Sequence, residues 1–349
     1  MSDPTSPTSG RARRGTDAVG VVLAAALIAW VLVSWMVSGG TPLGVVLLVA
    51  GSAFAFVAGR ALGGRGPRAA VLAVVLVAGA LAAWSGPDIM RDRPLGRPFG
   101  YDNATAAYFV QATAAAWMLT LRAQHAFAAI ISSVLTAVFA FVPFLVGALT
   151  AEILVVAVLL VGALGRFGGQ RQEQVMRLIA GTFASVLAAT IVLGALYPVH
   201  EGGPAGFVRS ALSDRRLALW HDSLRLIRRE PLFGVGASRF DVVSEVARLD
   251  PDTSRAHNEY FQLAAESGAM AGVLLAALAV WLILRPGVLG AGNRAWALLA
   301  SAACGAVAIH ACVDYVLHTA AVPLTAAYLT GIATAGGRRR GWSHPMTSG

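Results

Sequence analysis

Two side-chain types dominate the chemistry open to this sequence: imidazole and guanidinium. The stretch Arg255-Ala256-His257-Asn258 stands immediately before a long apolar run. At such a boundary water, a lipid headgroup and a dissolved acceptor can meet, and an unperturbed imidazole can accept a proton near neutral pH. No second His follows His257 at the spacing of a His-Glu-x-x-His zinc helix. A lone interfacial His is also a common structural residue, and from His257 alone both readings stand. Upstream lie Arg215, Arg216 and Arg225. Guanidinium groups without a nearby acid suit a phosphate-bearing substrate. The alternative is a charge-balanced loop, since residues 198–257 hold nine arginines against eight acids. A third constellation, His310, Asp314 and His318, is spaced four apart and would share one helix face. Ionisable groups inside a membrane are costly and face a cavity or a partner. This set reads as interhelical hydrogen bonding, as the wall of a catalytic cavity or, by spacing, as a zinc site. All 27 basic residues are Arg. Without Lys there is no P-loop lysine, no lysine Schiff base and no lysine general base.

The elements that must position these groups are membrane helices. The chain has 349 residues, of which 57% are hydrophobic and 13% charged, with a mean hydropathy of +0.68. A soluble domain carries about 25% charged residues, so soluble Rossmann, barrel and sandwich folds are excluded. The expectation is an all-α, polytopic integral membrane protein with about ten transmembrane helices and one large, partly helical outer loop. Apolar runs place spans near 18–38, 43–59, 69–85, 104–121, 126–142, 144–165, 178–197, 267–285, 295–317 and 319–336. The organisation is then a tail over 1–17, N-terminal membrane helices over 18–197, an outer loop over 198–257, C-terminal membrane helices over 258–336 and a tail over 337–349. With the N-terminus inside, every inner segment carries Arg, while the outer turns 39–42 and 143–150 carry none. Both termini are expected in the cytoplasm, and the first span reads as a retained anchor. Cys304 and Cys312, about 12 Å apart along one helix, read as buried packing residues.

Within the large loop, Ser213-Asp214 can cap a helix on which Leu217, Trp220, His221, Leu224 and Ile227 form an apolar stripe. Glu230-Pro231 ends it. The helix reads as amphipathic and lying on the membrane surface, which is compatible with a catalytic role. Pro231-Leu232-Phe233-Gly234-Val235-Gly236 reads as a plain C-terminal turn or as an anion-binding nest of backbone amides. Trp220 and Tyr260 read as interface anchors, and Glu152 as an interfacial turn residue or a substrate contact.

Three pieces of this sequence resemble the superfamily of bacterial O-antigen ligases and O-antigen polymerases. Arg216-Leu-Ala-Leu-Trp220 with Glu230-Pro-Leu-Phe-Gly-Val-Gly236 is similar to the family's R-x-x-x-W … P-L-x-G-x-G loop. His257-Asn-Glu-Tyr-Phe-Gln-Leu … Glu266-Ser-Gly268 is similar to its H-N-x-y-L-q-l-x-x-E-x-G stretch. Arg97-Pro-Phe-Gly-Tyr-Asp-Asn103 is similar to an outer loop ending in Asn before a span. The order of the first two pieces around one large loop also matches, and the likeness runs over about residues 95–335. The family's mid-chain Ser-Arg-Gly has no counterpart, the corresponding stretch being Thr150-Ala151-Glu152. Ten spans are also fewer than the family's usual twelve or so.

The resemblance implies a GT-C-like, metal-independent glycosyltransferase of the bacterial inner membrane with no cofactor. It implies a polyprenyl-pyrophosphate-linked glycan as donor, a glycan, lipid or protein hydroxyl as acceptor, the bilayer as partner and no nucleic acid. Carried over residue by residue, His257 is the family's essential histidine and Arg216 its loop arginine. Asn258, Arg215, Arg225, Arg255 and Asn103, with Asp314, His310 and His318, are the expected substrate contacts. Such transfer builds negative charge on the leaving pyrophosphate, which a divalent metal or fixed guanidinium groups must stabilise. The outer loops offer no clustered metal motif, with Asp88 and Asp92 the nearest approach. His257 would take the acceptor's proton or bind the diphosphate; the residues alone leave both open. The competing reading is a transporter or flippase of lipid-linked glycans, for which inverted repeats would be expected; none is visible.

Overall fold

The computed structural model describes residues 7–89, 98–167, 172–196, 213–249, 254–288 and 294–335. Seven long helices come first: α1 (Pro7–Ser38), α2 (Leu43–Arg65), α3 (Pro67–Ile89), α4 (Asp102–Thr120), α5 (Ala126–Val146), α6 (Leu149–Phe167) and α7 (Gln172–Leu196). The loop contributes α8 (Asp214–Arg229), α9 (Phe240–Val243) and α10 (Glu245–Arg248), followed by α11 (Glu259–Ser267), α12 (Ala269–Leu284), α13 (Arg294–His310) and α14 (Ala321–Thr334). Among the described residues the only β pairing is one isolated bridge, Gly40 with Ala237. The chain is an all-α polytopic membrane protein. The ten expected spans are not matched one for one. Six helices (α1, α2, α3, α5, α7 and α12) have the length and hydropathy to cross a bilayer, while α13 and α14 are apolar but shorter. α1 begins at Pro7, well inside the tail expected over 1–17. Arg91, Asp92, Arg93 and Arg97, the first part of the loop (198–212) and the expected C-terminal tail (337–349) lie outside the described residues.

α4 is the buried axis of the bundle. Its sequence is dominated by Ala and Thr, fourteen of its residues are buried, and α3, α5, α6, α13 and α14 pack around it. Lipid offers no hydrophobic drive for helix association, so small side chains that let backbones approach supply the packing contacts. At one end of the bundle Asp17 accepts from Arg60 at 2.5 Å and from the fully buried Arg285, and Trp281 donates to the Thr16 carbonyl at 2.9 Å. This charge cluster ties α1, α2 and α12 together. The large loop sits at the opposite end, anchored where Thr41 N donates to the Ala237 carbonyl at 2.9 Å.

Three expectations are corrected here. Pro143 lies inside α5 rather than ending it, so the turn shrinks to Gly147, held left-handed at φ 71°, and Ala148. Proline is tolerated there because neighbouring membrane helices compensate for the lost backbone bond. The helix expected to run from the loop into span 267–285 is broken at Gly268, whose φ is +88°. A Cβ on Gly268 would fall 1.8 Å from the Leu232 carbonyl oxygen, so only glycine fits. The 231–236 turn wedges into this break: Val235 N donates to Ala265 O at 2.9 Å, Gly236 N to Glu266 O at 3.0 Å, and Ala269 N to Pro231 O at 2.9 Å. The Val235 and Gly236 amides cap the carbonyl end of α11 and are not an anion nest. Finally, α13 stops at His310, so His310, Asp314 and His318 do not share a helix face. The incoming α11 takes the Ala311 carbonyl through Glu259 N at 2.9 Å, and residues 310–313 close in tight turns. Cys304 and Cys312 are both buried free thiols.

Candidate active site

α8 forms where Ser213 caps it, its side chain accepting from Arg216 N. Its buried face is broader than the expected stripe and includes Leu219, Asp222, Ser223 and Leu226 beside Leu217 and Trp220. The helix packs on α7 and α11 and, with Phe240, Ala247 and Ala256, encloses a small core of its own. It is therefore the spine of a folded cap and not a helix resting on lipid. Trp220 is fully buried, and its indole N–H donates to the His257 carbonyl at 3.2 Å. Tyr260 is likewise buried, with its hydroxyl donating to Ala308 O at 3.3 Å. Neither is an interface anchor.

His257 adopts φ +50°, a left-handed conformation uncommon for a side-chain-bearing residue and characteristic of functional sites. Trp220 from behind and the start of α11 ahead hold it there. The neighbouring Asn258 is the N-cap of α11: its side chain accepts from Phe261 N at 3.1 Å and donates to Thr190 at 3.2 Å, and it is fully buried. Asn258 therefore shapes the site from within the protein and presents no surface to a ligand. Removing such a cap costs about 1 kcal/mol. Asn258→Ala is expected to lower the melting temperature in detergent, and Asn258→Asp, which still accepts from Phe261 N but cannot donate to Thr190, to recover it only in part.

Asp314, in the turn beyond α13, is the hub. Its Oδ1 accepts from Tyr101 Oη at 2.5 Å, from His257 Nδ1 at 3.0 Å and from its neighbour Tyr315 N at 2.8 Å. Its Oδ2 accepts from Asn103 Nδ2 and from Arg216 at 3.4 Å. The side chain is 2% exposed. Burial alone would raise its pKa, but the hydrogen bond from His257, the charge of Arg216 and the Tyr101 hydroxyl pull it down to about 2. An ionised carboxylate only accepts, so His257 Nδ1 carries the donated proton and Nε2 is left as the free ring nitrogen. Arg216 spends one N–H on Asp314, and its side chain keeps 25% exposure.

A second cluster lies across Tyr315. The Tyr315 ring stacks on Tyr101 at 4.4 Å and meets His257 edge-on at 4.9 Å and His318 at 6.2 Å. His318 Nδ1 pairs with Glu259 Oε1 at 2.9 Å, and Arg255 donates to His318 Nε2 at 2.9 Å.

Of the residues expected from sequence, the structure gathers His257, Arg216, Asn103 and Asp314 into one cluster and places Arg255 and His318 in the adjoining one. Arg225 is used within the cap, bridging Asp222 at 2.7 Å and Glu245 at 2.9 Å. Arg215 is half-buried on α8, where successive residues do not face the same way. His310 is buried beneath the hub, with its Nδ1 lacking a hydrogen-bond partner among the described residues. Glu152 lies in the first turn of α6. Sequence reasoning missed Tyr101, Tyr315 and Glu259. Tyr101 lay within the third motif, two residues before Asn103, and Tyr315 beside Asp314; their types alone gave no reason to choose them.

Compared with known protein families, residues 66–276 match O-antigen ligase. The match takes in Tyr101, Asn103, Arg216 and His257, and ends before Asp314 and His318. No curated protein matches the chain. With well over half its length matched, and an all-helical membrane fold around the matched motifs, the chain belongs to the O-antigen ligase family.

Proposed function

We propose that the protein transfers a glycan from a polyprenyl-pyrophosphate carrier to an acceptor hydroxyl on the outer face of the cytoplasmic membrane. The observation that carries this reading is the convergence of Arg216 and His257 on one buried carboxylate, Asp314. In the reaction the bond between the anomeric carbon and the phosphate oxygen breaks, and the acceptor oxygen bonds to that carbon. The acceptor's proton goes to His257 Nε2, since Nδ1–H is held by Asp314. The electron pair of the broken bond stays on the diphosphate, whose growing charge the remaining N–H groups of Arg216 stabilise. The His257–Asp314 pair thus works as a base and its orienting partner. Fixed guanidinium charge takes the part a divalent metal would otherwise play.

The outer-face assignment rests on arginine asymmetry. Arg60, Arg65, Arg68, Arg122, Arg177, Arg285 and Arg294 stand in or beside the short connections of the end opposite the cap. That end is cytoplasmic by the positive-inside rule. Reconstitution in liposomes with a polyprenyl-pyrophosphate-linked glycan and candidate acceptors tests the reading. Transfer is expected to proceed at the same rate with EDTA present. A rate that collapses in EDTA and returns with magnesium would overturn the guanidinium assignment.

A further inference from the structure

Among the described residues, two other than glycine hold a left-handed backbone: His257 and Ser238, the latter at φ +56°. Such conformations persist only where the surroundings over-determine them. One pair of side chains on α11 reaches both places. Glu266 Oε2 accepts from Ser238 N at 2.9 Å, and its Oε1 accepts from Phe240 N at 3.2 Å. One turn earlier on the same helix face, Gln262 Nε2 donates to Glu266 Oε1 at 3.2 Å. The Gln262 Oε1 accepts from Ala256 N at 3.1 Å. Ala256 is the residue before His257. Ala256, Gln262 and Glu266 are all buried.

We infer that Gln262, steadied by Glu266, is a positioning residue that fixes the chain entering His257 and so keeps the imidazole aimed at Asp314; this rests on the proposed transfer. The His257 carbonyl is held by Trp220. Gln262 supplies the hold on the other side. A buried amide needs an acceptor, and no backbone carbonyl among the described residues takes Ala256 N. The relay has one orientation only. A backbone N–H can only donate and a carboxylate can only accept, so a turned-over Gln262 amide would meet both with the wrong group. Glu266 is fixed in its turn by the cap: Gly236 N donates to its carbonyl at 3.0 Å, beside the two amides on its side chain. Ser238 Oγ donates to the Thr41 carbonyl at 3.1 Å, which joins the turn between α1 and α2 to the same network. Neither Gln262 nor Glu266 touches Asp314, whose partners are Tyr101, Asn103, Arg216, His257 and Tyr315. Their influence on transfer therefore passes through His257. Nδ1–H must stay on Asp314 for Nε2 to take the acceptor's proton, and a misplacement of about 1 Å can cost about 10²-fold in rate.

The test uses the full-length protein in lipid nanodiscs and Gln262→Met, which keeps the length and bulk of the side chain but gives up both hydrogen bonds. The kcat for glycan transfer is expected to fall about 10–10²-fold, with KM for the acceptor within about twofold of native. Gln262→Glu keeps the acceptor for Ala256 N, and a proton shared with Glu266 takes the place of the amide N–H, so it is expected to recover most of the loss. The second readout needs no transfer. With isotope-labelled histidine, nitrogen NMR is expected to show the native His257 ring as one tautomer, protonated at Nδ1, and the Gln262→Met ring as a mixture. The signal is assigned by its absence from His257→Ala. A tautomer that stays single in Gln262→Met overturns the inference, even beside a lowered melting temperature. An unchanged kcat, or a loss carried by KM alone, overturns it as well. Should Gln262→Met fail to fold, Glu266→Gln, whose amide turns an N–H group against the donors at 238 or 240, is read by the same two measurements with the same outcomes. A native protein that transfers nothing, beside a mixed tautomer in the variant, would sink the transfer reading and leave the hold on His257 standing.

Discussion

His257→Ala is expected to abolish glycan transfer in reconstituted liposomes while the protein still inserts and folds. A positioned base contributes about 10²–10⁴-fold, equivalent to about 3–5 kcal/mol of barrier. The substitution removes the His257 ring nitrogen that Asp314 does not hold. The backbone contact survives, because Trp220 bonds the His257 carbonyl and not its ring. His257→Asn separates the two roles open to this residue. Asparagine tolerates the left-handed backbone and can still donate to Asp314, but it cannot take a proton. If His257→Asn transfers as well as the native protein, the base assignment is wrong and a hydrogen-bonding contact to the diphosphate suffices.

Asp314→Asn is expected to cost about as much, on the order of 10²–10⁴-fold in transfer rate, because an amide cannot hold the imidazole in the required tautomer. The fold should feel it too. Five donors converge on two oxygens: Tyr101, His257 and Tyr315 N on one, Asn103 and Arg216 on the other. Only an ionised carboxylate accepts them all. The Asn amide would turn an NH₂ group towards two donors or displace them. The sign of the pH dependence follows from the direction of the shift. With a folded pKa of about 2, below the ordinary value, the carboxylate lends about 2 kcal/mol that is fully present above about pH 4. That stabilisation is lost as pH falls through about 2. Melting temperatures of native protein and Asp314→Asn in detergent should therefore differ at neutral pH and converge towards pH 2. A gap that stays constant across that range would show that Asp314 is not the buried anion described here.

Much of this molecule is written locally. Apolar run lengths dictate membrane helices, since a backbone in lipid must satisfy its own hydrogen bonds. The Ser213 cap and the Glu230-Pro231 stop bound α8 as the sequence implies. The motifs around Arg216 and His257 point to the family that the comparison bears out. All of these depend on neighbours within a few residues, or on a pattern of residue types.

What the chain's linear order does not contain is where its helices break. Gly268 ends α11 because the Leu232 carbonyl occupies the space of a side chain, and α13 stops at His310 because Glu259 N claims the Ala311 carbonyl. Those two interruptions bring Asp314 to His257, 57 residues away, and Tyr101 to Asp314, 213 residues away. They also turn a tidy four-residue repeat, His310, Asp314 and His318, into three different places: a buried helix end, the hub of the site and the cluster across Tyr315. Periodicity speaks only for a helix that continues. Whether it continues is settled by which distant carbonyl or amide competes for its backbone bonds, and that competition exists only once the fold has formed.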